Sequence, residues 1–394
     1  MKTLIQNGPV ITPFRTIPTG GVLIENGKIA EILERPLAEP PANTTVIDAG
    51  GRTISPGFVD IHVHGGGGYG FFTEGPDGIG KICHAHSKYG TTSIVPTTMA
   101  APIDVTCDAI SNIRAAAEKG TPGAQILGVH LEGPFFSQAQ RGAQAPEYII
   151  CPTEENTREL LDAWPGGIRM MGAAPEIDGG LQLGKQLTNS GVVASIAHSD
   201  ATFEDIERAL DYGYSDITHI YSGCSIVHRV NAYRTAGVVE AGLYFDQLTA
   251  QVIADGKHLP PSLLRLIYKC KGADRIALIS DGMDPAATEM DEGTILTQPN
   301  GAQFVYEDGV MKMADRQSFA GSCATMSQLV RNMVQLANVP LMEAVQMASM
   351  TPANIIGAKH KGRLSPGCDA DVVLFDGDVN VSYVMVQGVE VYRV

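Results

Sequence analysis

The residues best suited to chemistry in this chain are spaced so that folding could gather them. His62-Val63-His64 closes an apolar run. In a strand, positions i and i+2 leave the same face, so both imidazoles would point one way. Further apolar runs end in His130-Leu131-Glu132-Gly133-Pro134, Ala197-His198-Ser199-Asp200, Thr218-His219 and Ser280-Asp281-Gly282. His62, His64, Glu132, His198, His219 and Asp281 therefore fall at the ends of five such runs. Any one histidine in such a place is more often a hydrogen-bonded core residue. Core packing alone, however, has no reason to put titratable groups at one strand end after another. Imidazole and carboxylate together suit a divalent metal, one or two ions, with zinc first and iron, manganese or cobalt as alternatives. His84-Ala85-His86 supplies a contrast. It lies in a predicted helix, where i and i+2 point about 200° apart, so this pair cannot chelate and is expected at the surface.

Eight strand-like runs would carry these groups: Phe58–His64, Thr92–Thr98, Gln125–Glu132, Ile168–Ala174, Val192–His198, Asp216–Tyr221, Ala250–Asp255 and Arg275–Asp281. Helix-length segments separate them, the pattern of βαβ units and a parallel sheet. Eight such units predict an α/β chain folded as a (β/α)8 TIM barrel, in which catalytic side chains project from the carboxyl ends of the strands. The stretch Thr288–Asp315 reads as a hairpin insertion with its turn at Glu307-Asp308-Gly309. Both chain ends instead alternate short apolar runs with turns, and Asn26-Gly27 between two such runs is a strong hairpin signal. We expect residues 1–55 and 362–394 to build a small β-sandwich domain beside a barrel domain at 56–361. Gly65–Gly68 lacks the Lys-Ser/Thr of a phosphate loop and reads as room for the backbone to turn.

The 394 residues carry a formal net charge of −15, which argues against nucleic acid or an anionic membrane as partner. An anionic substrate would need a local cluster of positive charge against that field. The seven cysteines form no C-x-x-C pair and read as reduced thiols. The opening Met-Lys-Thr-Leu-Ile-Gln-Asn-Gly is too short and polar for a signal peptide. No run approaches the roughly 18 apolar residues of a membrane span, so a cytoplasmic protein is expected.

At these same residues the sequence resembles the N-acetylglucosamine-6-phosphate deacetylases of the amidohydrolase superfamily. The resemblance runs nearly end to end: Ser55-Pro56-Gly57-Phe58-Val59-Asp60-Ile61-His62-Val63-His64-Gly65, Leu131-Glu132-Gly133-Pro134-Phe135, Ala174-Pro175-Glu176, Ala197-His198-Ser199 and Thr218-His219. It continues through Ile253-Ala254-Asp255-Gly256-Lys257-His258, Ser280-Asp281-Gly282 and Ala320-Gly321-Ser322. It implies that Glu132 anchors or bridges metal with His198 and His219, and that His62 and His64 mark the two-metal branch. It also implies that Asp281 is the catalytic aspartate, that His258 binds substrate, and that the protein is a homodimer in which an arginine reaches the phosphate of a 6-phosphorylated amino sugar. Gln144 stands where the family usually has a substrate-facing histidine. Tyr221-Ser222-Gly223-Cys224 replaces an aromatic-Asn-Ala-Met run, and His228-Arg229-Val230-Asn231-Ala232, with Arg234 nearby, replaces His-Arg-Glu-Pro-Gly. The candidate substrate contacts are thus Gln144, Ser222, Gly223, Arg229, Arg234 and His258.

The implied reaction is hydrolysis of the acetyl amide, with Asp281 taking a proton from water and delivering it to the leaving amine. Such positioned acid–base help is worth about 10²–10⁴-fold. Ser-Asp-Gly at a strand–helix junction would also suit a helix cap. Three other readings compete with this one. A ring-opening amidohydrolase would normally bridge its metals with a carboxylated lysine on the fourth strand, and Ile168–Ala174 has none. A deacetylase of another N-acyl compound, an unphosphorylated amino sugar or an N-acyl amino acid, stays open because the sugar subsite departs from the family. A barrel kept only as a binding scaffold would have lost some of the water-activating residues, and the set is complete.

Overall fold

The structure, a computed structural model, describes residues 2–297 and 303–394. Eight parallel strands form its centre: β1 (Phe58–Val63), β2 (Thr91–Pro96), β3 (Val129–Glu132), β4 (Ile168–Ala173), β5 (Val193–Ile196), β6 (Tyr214–Ile217), β7 (Thr249–Val252) and β8 (Ile276–Leu278). Most are buried on both faces, as expected of strands covered by helices on the outside and side chains within. Helices follow the strands in alternation, and two of them start at capping boxes, Thr153 with Asn156 and Thr202 with Asp205.

The ladders fall into two arcs. One runs β3-β4-β5-β6-β7-β8, and the other pairs β1 with β2 and β2 with Gln125–Ile126. Single bridges span both gaps. Val63 pairs in parallel with Gly282 beyond β8, and Thr97 pairs with His130 of β3. At the first seam the Asp281 N–H donates to the His62 carbonyl at 2.9 Å, and at the second the Thr98 N–H donates to the His130 carbonyl at 3.0 Å. The chain is therefore α/β, with all eight expected strands in place.

Both termini contribute to one mixed sheet. Its strands are Lys2–Ile11, Thr16–Glu25, Lys28–Leu33, Thr44–Asp48, Thr53–Pro56, Val372–Phe375, Val381–Val386 and Val389–Arg393. The expected sandwich of two sheets is not what the hydrogen bonds form. Lys2–Ile11 is irregular after Gln6, where Asn7 has φ +68°. Its first half pairs with Thr44–Asp48 and its second with Thr53–Pro56, which joins all eight strands into one branched sheet. Asn26-Gly27 makes the predicted turn with both φ positive, +51° and +78°.

Two further expectations change. The insertion after β8 is larger than a hairpin: Ile295–Thr297, Gln303–Glu307, Val310–Met313 and Phe319–Ser322 form a four-stranded antiparallel sheet. Its predicted turn at Asp308-Gly309 is present, and residues 298–302 lie outside the described residues. His86 is not a surface residue. It is fully buried, and its Nε2 donates to the Gly65 carbonyl at 2.8 Å. Helix Pro76–Ser87 turns that face against the Gly65–Gly68 loop, where a Cβ on Gly66 would come within 2.4 Å of the His86 ring.

Candidate active site

The strand ends bring His62, His64, Glu132, His198, His219 and Asp281 to one place. Two triads share Glu132: His62, His64 and Glu132, and Glu132, His198 and His219, with ligand atoms in each within 4.8 Å of one another. Glu132 Oε1 lies 2.9 Å from His219 Nε2 and 3.2 Å from His198 Nε2, while Oε2 lies 3.3 Å from His64 Nε2. Asp281 Oδ1 faces the Nε2 atoms of His62 and His64 at 3.4 and 3.3 Å. No helix begins at Asp281, since the next among the described residues starts at Met326 after Thr325, which excludes the capping role. His198, His219 and Asp281 all have positive φ (+46°, +31° and +47°), an uncommon conformation for residues with a Cβ. Each turns sharply off its strand, which aims the side chain into the mouth.

The places of the imidazole protons decide whether the donor set suits a cation. His198 Nδ1 meets the Gln140 carbonyl at 2.8 Å and must donate to it, so in the neutral ring Nε2 aims a lone pair at the Glu132 carboxylate. His62 Nε2 and His64 Nε2 face each other at 3.3 Å, where only one of them can carry the proton. Lone pair against carboxylate is repulsive unless positive charge lies between, so the residues fit a bound cation. Protonation behaviour agrees. Burial disfavours charge on His64, yet the Asp281 and Glu132 carboxylates outweigh it and raise its pKa to about 10. His219 also moves up, with burial overcome by Glu132. His62 moves down to about 4, first through burial, with its charged neighbours His64 and His219 adding to the shift. Glu132 and Asp281 are buried, but the surrounding imidazoles hold both below the usual carboxylate range.

Above these groups lies a cavity of about 350 Å³. Gln144, Ser222, Gly223 and His258 all line it, whereas Arg229 and Arg234 do not. Those arginines sit opposite each other on an exposed hairpin, His228–Val230 with Tyr233–Thr235, and no Lys or Arg is among the described lining residues. His258 is fixed by Asp255, which takes its Nδ1 proton at 2.7 Å, and by the ring of Phe319, 4.6 Å between centroids. Gly223 packs against a ring: a Cβ there would come within 2.6 Å of His198 Nδ1. Gln144 accepts from the Ala100 N–H at 2.9 Å and donates to Glu132 Oε2 at 3.0 Å, so it reaches the carboxylate as well as the cavity. The sequence reading missed three supporting groups: Asp255, Phe319 and Gln140. Asp255 could have been found from its i, i+3 spacing to His258; the other two carry no local signal.

A barrel-type α/β chain with carboxylate and imidazoles at its strand ends, beneath a cavity, has the architecture of a hydrolase acting on amides. The Amidohydrolase family profile matches residues 53–391. An N-acetylgalactosamine-6-phosphate deacetylase of Escherichia coli O157:H7 is 34% identical over 93% of each chain. An N-acetylglucosamine-6-phosphate deacetylase of Lysinibacillus sphaericus is 33% identical over 95% of this chain and 94% of the relative. Among solved structures, N-acetylglucosamine-6-phosphate deacetylase from Pasteurella multocida superposes with a TM-score of 0.91 at 28% identity over 99% of both chains. A Mycobacterium smegmatis mutant enzyme in complex with N-acetyl-D-glucosamine-6-phosphate superposes with 0.90 at 30% identity, again over 99% of both. The chain belongs to the amidohydrolase family and, within it, to the N-acetylglucosamine-6-phosphate deacetylase family.

Proposed function

We propose that this protein removes the acetyl group from N-acetylglucosamine 6-phosphate, or a closely related N-acetylhexosamine 6-phosphate, releasing acetate and the amino sugar phosphate. The observation that carries the reading is the pair of triads sharing Glu132, with Asp281 opposite, on the floor of the cavity. In this reading the two arcs are one closed (β/α)8 barrel, residues 56–361, and the terminal sheet, 1–55 with 362–394, is a separate small domain.

His62, His64 and Glu132 would hold one divalent ion, and Glu132, His198 and His219 a second. When bound, the metal lowers the pKa of water towards about 7 and polarises the amide carbonyl. Zinc suits the imidazole-rich set first, then iron, manganese or cobalt. Asp281 accepts the proton that water loses as its oxygen bonds to the acetyl carbon. It then delivers that proton to the nitrogen as the C–N bond breaks, so that a neutral amine leaves. His258, its Nδ1 proton held by Asp255, presents Nε2 to the sugar, and Gln144, Ser222 and Gly223 shape the rest of the pocket.

The phosphate would be met by Arg229 and Arg234, which have no ion-pair partner among the described residues and which form a like-charge cross-strand pair. Such a pair costs the hairpin stability, which supports a role in holding an anion. The hairpin is exposed, and a homodimer that brings it over a cavity belongs to the same reading. The absence of Lys and Arg among the described lining residues also supports a second reading, a deacetylase of a neutral N-acyl compound. Metal analysis of purified protein, with amine release measured on 6-phosphorylated and unphosphorylated N-acetyl-glucosamine, -galactosamine and -mannosamine, separates them. Turnover confined to phosphorylated sugars is expected. Equal turnover with and without phosphate would replace the first reading by the second.

A further inference from the structure

Beneath the metal-binding groups the barrel interior is polar, and its hydrogen bonds have a direction. Asp216 on β6 is fully buried. Its Oδ2 receives Ser195 Oγ at 2.6 Å and Gln251 Nε2 at 2.7 Å, and its Oδ1 receives Thr249 Oγ1 at 2.5 Å. A carboxylate met by three donors acts as acceptor only. Gln251, on β7 and also fully buried, must therefore turn its amide NH2 towards Asp216. The same nitrogen touches Met170 Sδ at 3.1 Å, a weak acceptor, which fits this orientation. The amide oxygen is then left facing His62 Nδ1 at 3.1 Å. An oxygen there can only accept, so His62 must carry its proton on Nδ1 and present Nε2 as a lone pair to the cluster.

We propose that Gln251, set by Asp216, is a positioning residue that fixes the tautomer of His62 and so prepares its Nε2 to bind metal. The inference rests on the reading of His62 as a ligand. Partners of this kind typically change metal affinity by 10- to 100-fold when removed. The polar carboxylate is thus useful two residues from the metal: an acceptor-only group at one end of the chain dictates which nitrogen is bare at the other.

The test uses the full-length protein, with histidine ring nitrogens labelled and His62 assigned from its variant. Before zinc is added, at a pH where the ring is neutral, His62 should show a protonated Nδ1 and a bare Nε2. A bare Nδ1 in this unaltered protein overturns the proposal whatever the variants do. Gln251→Leu should shift that ring towards the Nε2–H form and weaken zinc binding by roughly 10- to 100-fold, with KM near the unaltered value once zinc is saturating. The double variant Asp216→Asn with Gln251→Glu reverses the polarity of the first bond but keeps an acceptor at His62, and should recover the Nδ1–H form and most of the zinc affinity. Unchanged zinc affinity in Gln251→Leu, or no recovery in the double variant, overturns the proposal. His62→Ala separates this from the underlying reading. If that variant binds zinc normally, His62 is not a ligand; if it loses zinc while Gln251→Leu does not, only the role of Gln251 fails.

Discussion

Asp281 donates its backbone N–H to the His62 carbonyl and takes the Ser322 N–H at its own carbonyl, both at 2.9 Å, so its position is set by neighbours on either side. That rigidity makes a side-chain test clean. Asp281→Asn keeps shape and backbone bonds but cannot take up a proton. Its kcat should fall by at least about 10²-fold with metal content unchanged; turnover like that of the unaltered enzyme would remove Asp281 from the chemistry. The candidate residues were legible because histidines and carboxylates recur at strand ends. His86 was not, because helix periodicity says which side chains share a face and not which loop will cover that face. Its burial has a measurable consequence. Burial holds the His86 pKa below the ordinary value near 6.5, while the unfolded chain titrates there. The unfolded state therefore binds more protons as pH falls below about 6.5, and this group's contribution to stability is present above that pH and lost below it. His86→Gln, whose amide can still donate to the Gly65 carbonyl, should show a shallower fall of Tm with acidification over that range. Parallel Tm curves for both proteins would refute this account.

At the level of elements, continuous apolar runs revealed all eight parallel strands because burial on both faces leaves no alternation to confuse the reading. The polar interior was not legible: Asp216 and Gln251 lie in two of those runs, but no local pattern says that the two would meet. The inserted sheet was under-read for a related reason: Ile295–Thr297 and Phe319–Ser322 are short and partly exposed, so their hydrophobic pattern is weak. The two ends of the chain are also tied together in the terminal sheet by charges that no periodicity reports. Lys361 is buried, with Nζ 2.8 Å from Asp369 and 2.9 Å from Asp371, and Lys28 of the N-terminal hairpin also reaches Asp369. Burial raises the pKa of Asp371, whereas Lys28 and Lys361 overcome burial and lower that of Asp369. Lys361→Met would fill the same space and strand the Asp371 carboxylate. Breaking one side of a buried pair costs about 3–5 kcal/mol, so denaturant unfolding should lose stability of that order. A loss below about 1 kcal/mol would mean that the ion pair contributes little to the sheet.

For the whole molecule the decisive quantity is charge. A net charge of −15 repels a phosphorylated sugar, and no Lys or Arg is among the described residues that line the cavity. Arg229 and Arg234 stand outside it on the hairpin that follows Tyr221-Ser222-Gly223, facing each other with no acidic partner among the described residues. The same hairpin region exposes Ile226, Val230 and Tyr233. Fold and strand-end chemistry could be read from one chain's sequence; the phosphate end could not, because neither exposed arginine reaches the cavity within one chain. Arginine suits the role because its planar fork pairs two phosphate oxygens, and a hydrogen bond to a charged group is worth about 1.5–3 kcal/mol. Arg229→Ala should therefore raise KM for the 6-phosphate sugar roughly 10- to 100-fold. It should leave kcat and the turnover of unphosphorylated sugar nearly unchanged, since Arg229 touches neither Glu132 nor Asp281. Adding salt should weaken the unaltered enzyme's grip on the phosphorylated substrate more than that of the variant, because the variant has lost one of the two charges that salt screens. Equal KM changes on both substrates would instead make Arg229 a structural part of the hairpin and move the assignment to neutral N-acetyl compounds.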